Sequence, residues 1–205
     1  MVRSRFSRLP PEQQRRIVDA AVEEFARHGF HDASLNRVIE TAGISKGSMY
    51  YYFDGKEDLY AYVARVELER LFADLAPFTV PAGDDAEAFW SALAAYYLRL
   101  MRALTERPDL AALMRGLAAA ASHPALQQAQ QELEQAVVPW LERTVSAGQR
   151  LRAVRTDLPT GLLIAVVMGM GQAMDLWLMA AQPEAEELPG LTTSLVEMIR
   201  RAVEP

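Results

Sequence analysis

A short run of residues near the N-terminus has the types and spacing needed to bind phosphate. Lys46, Gly47, Ser48, Tyr50 and Tyr51 lie on one short predicted helix and fall outside its apolar stripe. Hydroxyl and ammonium groups donate to phosphate oxygens, and so do the N–H groups at a helix N-terminus. Glycine in a helix costs about 1 kcal/mol relative to alanine, which suits a backbone that must approach another surface. The run therefore predicts contact with a nucleic acid.

Two short predicted helices, 34–42 and 45–53, position these residues. Gly43 can adopt the positive φ of a sharp turn, Ile44 fills the angle between the helices, and Ser45 caps the second one. The pair shares a buried stripe formed by Val38, Ala42, Ile44, Met49 and Phe53. The pattern predicts a helix-turn-helix; the alternative is a plain helical hairpin whose tyrosines fill a core.

The charge distribution agrees with a nucleic-acid-binding segment attached to an acidic body. The net charge is −6, but residues 1–60 carry nine basic and nine acidic groups, against twelve and eighteen in residues 61–205. Both lysines, Lys46 and Lys56, lie in the first part. Such asymmetry indicates a nucleic-acid partner, with chance clustering as the alternative. Arg3, Arg5 and Arg8 could form an arm that reaches a minor groove or the backbone, or a solvating tail.

Every long segment of the chain favours helix, and no alternating run of strand length is present. We expect an all-α fold of nine to ten helices, with Gly29 ending the first and Pro139 kinking the seventh. A three-helix DNA-binding unit (1–55) would precede a larger helical ligand-binding and dimerisation domain (56–205). The predicted helices cover 11–29, 34–42, 45–53, 56–76, 84–105, 108–122, 124–147, 158–182 and 188–203.

Composition and motifs argue against an enzyme or a metal protein. The 205-residue chain has no cysteine, which excludes disulfides, thiol nucleophiles and thiolate zinc sites. His28 and His31 lack a third ligand nearby in the sequence, and a helix dipole explains His28. No nucleophile motif, phosphate loop or dinucleotide fingerprint is present. We therefore predict no catalytic residue, no cofactor and no metal.

The segment 158–181 is the sole candidate for a membrane span in the sequence. It carries Gln172 and Asp175, and its uninterrupted apolar stretch, 162–171, is shorter than the ~20 residues that a span needs. The basic N-terminus is not followed by an apolar core, so a secretory signal is not expected. These features predict a cytoplasmic protein in which 158–181 is a buried or interface helix.

The first quarter of the chain resembles the TetR family of transcriptional regulators. The resemblance rests on Ser34 and on the continuous run from Ala42 to Leu59, which includes Gly43-Ile44-Ser45-Lys46-Gly47-Ser48 and Tyr50-Tyr51-Tyr52-Phe53. The preceding helix matches through Ile17, Ala20, Ala21, Phe25, Gly29 and Phe30. The remainder is similar to that family only in the number and order of helices.

The resemblance implies specific DNA contacts. Ser34, Tyr50 and Lys56 would contact phosphates, while Lys46, Ser48 and Tyr51 would reach bases or backbone. The full predicted DNA-binding set is Ser34, Arg37, Ser45, Lys46, Gly47, Ser48, Tyr50, Tyr51, Tyr52 and Lys56.

Three positions depart from the family pattern. Ile39 replaces the usual alanine, Tyr52 stands where histidine is common, and Gly55 replaces a serine cap, so that Asp54 would cap instead.

The segment 158–181 and the last helix fit a dimer interface. The first is apolar on most sides, and Gly161, Gly169 and Gly171 would allow close helix approach. The TetR resemblance implies that two such helices per subunit form a four-helix bundle, giving a homodimer on a palindromic operator. The alternative is a core helix inside a monomer.

Large, adaptable side chains in the C-terminal part suggest a small-molecule site, and the resemblance implies a cavity. We expect an apolar or amphipathic effector that releases a repressor from DNA; most of these residues could instead simply form the core. Asp175 could bind the effector or pair with an arginine across the dimer. An all-helical enzyme acting on a small apolar molecule and a structural helical dimer are the alternative functions. The predicted effector set is Phe89, Trp90, Tyr97, Met101, Met114, Trp140, Gln172, Asp175 and Trp177.

Overall fold

The structure is a computed structural model that describes residues 5–83, 85–119 and 124–205. Helices α1 to α9 and a short 3-10 turn, Phe6–Arg8, make up its regular structure, and these residues contain no strand. The predicted all-α fold is therefore confirmed. The helices are α1 Pro11–Asp32, α2 Leu35–Ala42, α3 Lys46–Tyr52, α4 Lys56–Asp74, α5 Ala86–Thr105, α6 Pro108–Ala119, α7 Pro124–Arg150, α8 Thr160–Ala181 and α9 Leu188–Val203.

Most helix boundaries agree with the sequence pattern to within a few residues. Gly29 has the positive φ expected of it (+67°), yet a further turn carries α1 to Asp32. Helix α7 continues through Pro139 and reaches Arg150, three residues beyond its predicted end. Arg3 of the proposed arm, the predicted helix start at Asp84, and the predicted helix end at Ser122 lie outside the described residues.

The first of two compact units contains the chain up to Leu71 together with Arg107–Leu133. Its core brings the apolar face of α1 together with side chains of α2, α3, α4 and α6 and the start of α7. Tyr60 of α4 is fully buried and donates its hydroxyl to the carbonyl of Leu113 at 2.7 Å. Gly116 lies against this phenol, since a Cβ placed there would come within 2.2 Å of the Tyr60 hydroxyl.

The second unit contains Phe72–Glu106 and Glu134–Pro205. Its core joins α5 to α8, α9 and the connector that follows α7. Gly148 allows the end of α7 to approach this core, because a Cβ there would meet Val154 at 2.6 Å and Phe89 at 3.0 Å. These units are defined by contacts and do not test the predicted boundary after Gly55 between a DNA-binding and a ligand-binding domain. That boundary stays a prediction.

Candidate nucleic-acid interface and effector site

The turn between α2 and α3 has the conformation that the sequence predicts. Gly43 is left-handed (φ +64°, ψ +38°), and its N–H ends α2 by donating to the carbonyl of Glu40 at 3.1 Å. Ser45 caps α3, since its side-chain oxygen accepts the Ser48 N–H at 3.0 Å. The helix-turn-helix geometry and both of its local determinants are confirmed.

Helix α3 presents its polar residues to solvent. Met49 is buried, whereas the Tyr50 and Tyr51 side chains are 45% and 48% exposed. Lys46 and Gly47 are exposed as well. Within the part of the chain that the structure describes, the Lys46 ammonium forms no hydrogen bond or ion pair. This exposed face carries hydroxyl and ammonium donors of the kind that bind phosphate oxygens.

Tyr52 differs from its neighbours on α3. It is half-buried, and its ring meets Phe6 edge-on with the centroids 5.8 Å apart. Packing of Tyr52 against the segment that precedes α1 gives this position a structural role that a sequence pattern does not reveal. Its DNA contact stays a prediction.

Arg37, one of the predicted DNA contacts, is bound within the protein. Its guanidinium donates to both oxygens of Glu24 at 2.6–2.9 Å and to the carbonyl of Asp32 at 3.0 Å. Glu24 is 8% exposed and also accepts the Ser34 N–H at 2.7 Å. The hydrogen bond from Arg37 and, less strongly, the one from Ser34 lower the pKa of Glu24 against the opposing effect of burial. The ion pair thus fixes the start of α2 against α1.

Ser34 precedes α2 and its side chain does not cap that helix. Its backbone N–H is satisfied by Glu24 instead. The side chain of Ser34 thus retains the capacity to bind a phosphate, as the family resemblance implies.

Lys56, predicted to contact a phosphate, also lies against the protein. Its ammonium donates to the carbonyls of His31 at 2.8 Å and Ala33 at 3.2 Å, and lies 4.9 Å from the centre of the Phe30 ring. These carbonyls are at the C-terminal end of α1, where a cation is favoured by the helix dipole. Lys56 therefore links the start of α4 to the end of α1.

In the second unit, a polar pair joins α5 to the apolar helix α8. The Tyr97 hydroxyl donates to Asp175 Oδ1 at 2.7 Å. Burial raises the pKa of Asp175 to about 6, although the bond from Tyr97 opposes the shift. Within the described residues no cationic side chain pairs with Asp175. A partly buried carboxylate without a cation is costly unless another group compensates it, so this pair marks a candidate binding position.

Several predicted effector residues gather in this unit. Phe89 and Trp90 belong to the buried core of the unit and Tyr97 packs against it, while Met101 is also buried. Trp140 stacks with Tyr96, with ring centroids 5.8 Å apart. Phe78 is not among the predicted residues, yet its ring contacts those of Phe89, Tyr96 and Trp140. Its position in a loop after Pro77, outside any helical pattern, left no periodic signal.

Three other members of the predicted effector set lie elsewhere or less deeply. Met114 packs against the core of the first unit. Trp177 is 53% exposed on α8, and Gln172 is half-buried on the same helix. The effector role of all three stays a prediction.

Helix α8 has an apolar face that the single chain leaves uncovered. Exposed apolar side chains recur along it at helical spacing, and Gly161 and Gly169 lie on the same face. A Cβ at either glycine would meet no atom within 4 Å. Within the described residues α8 is thus buried on one side only. The large exposed side chains are Leu162, Val166, Leu176 and Trp177.

By length and apolar composition alone, α8 could cross a membrane, and 17% of its most apolar window is buried. Those two properties are weak evidence for a membrane segment, since helices that pack against protein share them. The partly buried Asp175 on this helix does not favour a lipid environment.

The fold and the exposed face of α3 define a helix-turn-helix protein. Residues 17–63 match the model of the tetR family of bacterial regulatory proteins. The HTH-type transcriptional regulator RutR of Escherichia coli K12 is 39% identical over 72 residues, or 35% of this chain and 34% of RutR. The HTH-type transcriptional repressor SCO4008 of Streptomyces coelicolor is 38% identical over 92 residues, or 44% and 45% of the two chains. The match thus spans a third to under half of these relatives.

Solved structures share the fold over nearly the whole chain. FadR from Bacillus halodurans has a TM-score of 0.70 at 20% identity and covers 91% of this chain and 97% of its own. FadR from Bacillus subtilis, solved with stearoyl-CoA, has a TM-score of 0.67 at 23% identity and covers 90% and 96%. The TetR-family resemblance is therefore confirmed by sequence for the N-terminal segment, and the solved structures show that the fold of the chain is shared. The matched family and these relatives are described as transcriptional regulators.

Proposed function

We propose that this protein is a cytoplasmic repressor that binds a palindromic operator as a homodimer and is released by a small apolar or amphipathic effector. The observation that carries the proposal is the exposed polar face of α3 on a helix-turn-helix whose sequence matches a family of regulators. Lys46, Ser48 and Tyr51 are the side chains with which we expect α3 to contact the duplex.

The contacts within the DNA-binding unit suggest two different roles for the cationic residues of the predicted DNA-binding set. Arg37 and Lys56 hold α1, α2 and α4 together through bonds to Glu24 and to the end of α1. Lys46 has no such partner in the described part of the chain. We therefore infer that Lys46 supplies the cationic phosphate contact, whereas Arg37 and Lys56 mainly position the helices.

The dimer proposal is supported by the uncovered face of α8. An apolar stripe of this length on a soluble protein needs a partner surface, and glycines on it allow two helices to approach closely. A second copy of this chain carries the same apolar face on its own α8 and can therefore cover the first. Such a pair has the two-fold symmetry that a palindromic operator requires.

The effector proposal is supported by the second unit. Aromatic rings of α5 and α7 meet beside Phe78, and the Tyr97–Asp175 pair adds a polar contact among apolar side chains. An apolar or amphipathic molecule would satisfy both features. FadR of Bacillus subtilis was solved with stearoyl-CoA, an amphipathic ligand. We expect effector binding to weaken operator binding by about 1–3 kcal/mol.

Selection of duplexes from a random DNA library tests the proposal. The full-length protein is expected to enrich a sequence with two-fold symmetry, bound by two chains per duplex. Apolar and amphipathic compounds are then screened by melting shift, and those that bind are tested for release of the selected duplex. Failure to enrich any symmetric sequence would overturn the operator claim. Ligands that bind tightly and leave DNA affinity unchanged would overturn the coupling.

A further inference from the structure

The segment that precedes α1 is anchored to the helix-turn-helix by Phe6. The ring of Phe6 is fully buried, with its centroid 5.8 Å from that of Tyr52, 4.9 Å from Phe53 and 5.2 Å from Tyr62. Gln14 of α1 holds the next residues by donating to the carbonyl of Leu9 at 2.8 Å. The backbone beside Phe6 is therefore fixed relative to α3.

This anchor places Arg5 on the exposed face of α3. The guanidinium carbon of Arg5 lies 4.3 Å from the centre of the Tyr51 ring. Both side chains are exposed, and in the part of the chain that the structure describes no carboxylate pairs with Arg5. A guanidinium stacked on a ring keeps N–H donors at its edge, where a phosphate can accept them.

We propose that Arg5 binds a phosphate of the duplex next to the site that α3 contacts, held in position by the Tyr51 ring and by Phe6. The proposal rests on the proposed operator binding and extends the DNA-binding surface to a residue ahead of α1. Because stacking orders the Arg5 side chain in the free protein, binding loses less entropy than it would with a loose arm. If Arg5 lay on a loose arm, its contribution to DNA affinity would depend on its charge alone. If Arg5 entered the minor groove, its contribution would depend on the A·T content of the duplex.

Fluorescence anisotropy with the full-length protein and the selected duplex, over a salt series, measures the contribution of Arg5. Arg5→Gln is expected to weaken binding about three- to tenfold and to reduce the log-affinity versus log-salt slope by about 0.9. Arg27→Gln is the matched control, since it removes one exposed guanidinium from the same unit and breaks only its pair with Glu23. Circular dichroism checks folding.

Substitutions of Tyr51 test the stacking. In a Tyr51→Phe background, which keeps the ring, Arg5→Gln should cause the same loss as in the wild type. In a Tyr51→Leu background the loss should shrink to less than about twofold. The loss should also be equal on duplexes with A·T-rich and G·C-rich flanks.

Distinct outcomes separate this inference from the function on which it rests. If the wild type enriches no duplex, the proposed operator binding and the Arg5 contact are both wrong. If the wild type binds and Arg5→Gln keeps its affinity and salt slope, the inference alone is wrong. An undiminished loss in the Tyr51→Leu background would overturn the stacking, and a loss confined to A·T-rich flanks would overturn the phosphate assignment.

Discussion

Glu24 holds Arg37 through both carboxylate oxygens, and these two residues lie thirteen positions apart on different helices. The pair is the main polar contact that fixes the start of α2. Its carboxylate is nearly buried, whereas the guanidinium is half exposed. Such a contact contributes to stability mainly because its loss leaves a nearly buried carboxylate with only His28, whose Nε2 lies 3.8 Å away, as a basic neighbour.

Arg37→Gln should therefore destabilise the protein at neutral pH, with a melting temperature roughly 2–5 °C lower. Arg37 lowers the folded pKa of Glu24, so the pair stabilises the fold above the unfolded pKa of about 4.5 and this contribution is lost as pH falls through the folded value. The difference from wild type should shrink at pH 3.5. Arg27→Gln, which breaks an exposed pair, should change little at either pH. An equal loss for both variants would contradict the assignment.

Lys46→Gln should change operator binding, whereas Lys56→Gln should change the stability of the protein. Lys46→Gln should leave stability unchanged, weaken operator binding severalfold and lower the salt slope by about 0.9. Lys56→Gln should lower the free energy of unfolding by about 1 kcal/mol, because two carbonyls at the end of α1 lose their donor.

Urea denaturation and anisotropy across a salt series measure both lysine variants. A folded Lys46→Gln protein with wild-type affinity and slope would show that the exposed face of α3 does not contact DNA. Unchanged stability of Lys56→Gln would remove its structural role.

Asp175→Asn should stabilise the protein at pH 7.5 and not at pH 4. The folded pKa of about 6 lies above the ordinary value of 3.8, so the folded state binds more protons between those values. Stability contributed by the protonated form is therefore lost as pH rises from about 4 to 6. Asparagine keeps an acceptor for Tyr97 and carries no charge, which should raise stability by about 1–3 kcal/mol above pH 6.

Urea denaturation of wild-type and Asp175→Asn proteins at the two pH values, at one fixed protein concentration, tests this. A difference that does not change between pH 4 and pH 7.5 would mean that the Asp175 carboxylate is not the group that titrates.

Gly169→Glu should disrupt self-association while leaving each chain folded. A Cβ at Gly169 would meet no atom within 4 Å in the single chain, so we expect the main penalty to come from a partner. A charge buried between two α8 helices would be unpaired and costly. Light scattering should report monomers or aggregates, and operator binding should be lost. Thr156→Glu adds the same charge at an exposed connector residue and should remain dimeric. A dimeric Gly169→Glu protein would locate the interface elsewhere.

Gly116→Ala should destabilise the first unit by about 1–3 kcal/mol. The added methyl would lie 2.2 Å from the buried Tyr60 hydroxyl, so this hydroxyl, which donates to the Leu113 carbonyl at 2.7 Å, would have to shift. Gly190→Ala, at a helical position with no atom within 4 Å, should be neutral or slightly stabilising. Adding Tyr60→Phe to Gly116→Ala should cost less than the sum of the single changes in urea denaturation. Strict additivity would show that the two residues do not collide.

The features that the sequence predicted well are those set by neighbouring residues. The turn at Gly43 and the cap at Ser45 depend on local φ and ψ angles and on one hydrogen bond. A run of about four or five residues is therefore enough to predict them. The engagement of Lys56 by His31, 25 positions away, is a tertiary contact with no periodic signal. Met114 was grouped with the effector residues on composition, yet α6 carries it to the core of the first unit. Composition identifies the kind of side chain and does not assign it to a core.

The buried Phe6 limits how this DNA-binding unit can be transplanted into another regulator. The family match begins at residue 17, and a chimera cut there, or a fusion that removes the first ten residues, would lack a ring that fills the space between α3 and α4. Leu113, Leu117 and Leu126, from α6 and α7, belong to the same core and would be left behind as well. If the proposed function holds, we expect DNA specificity to be exchanged most readily by replacing surface residues of α3, with the surrounding chain kept intact.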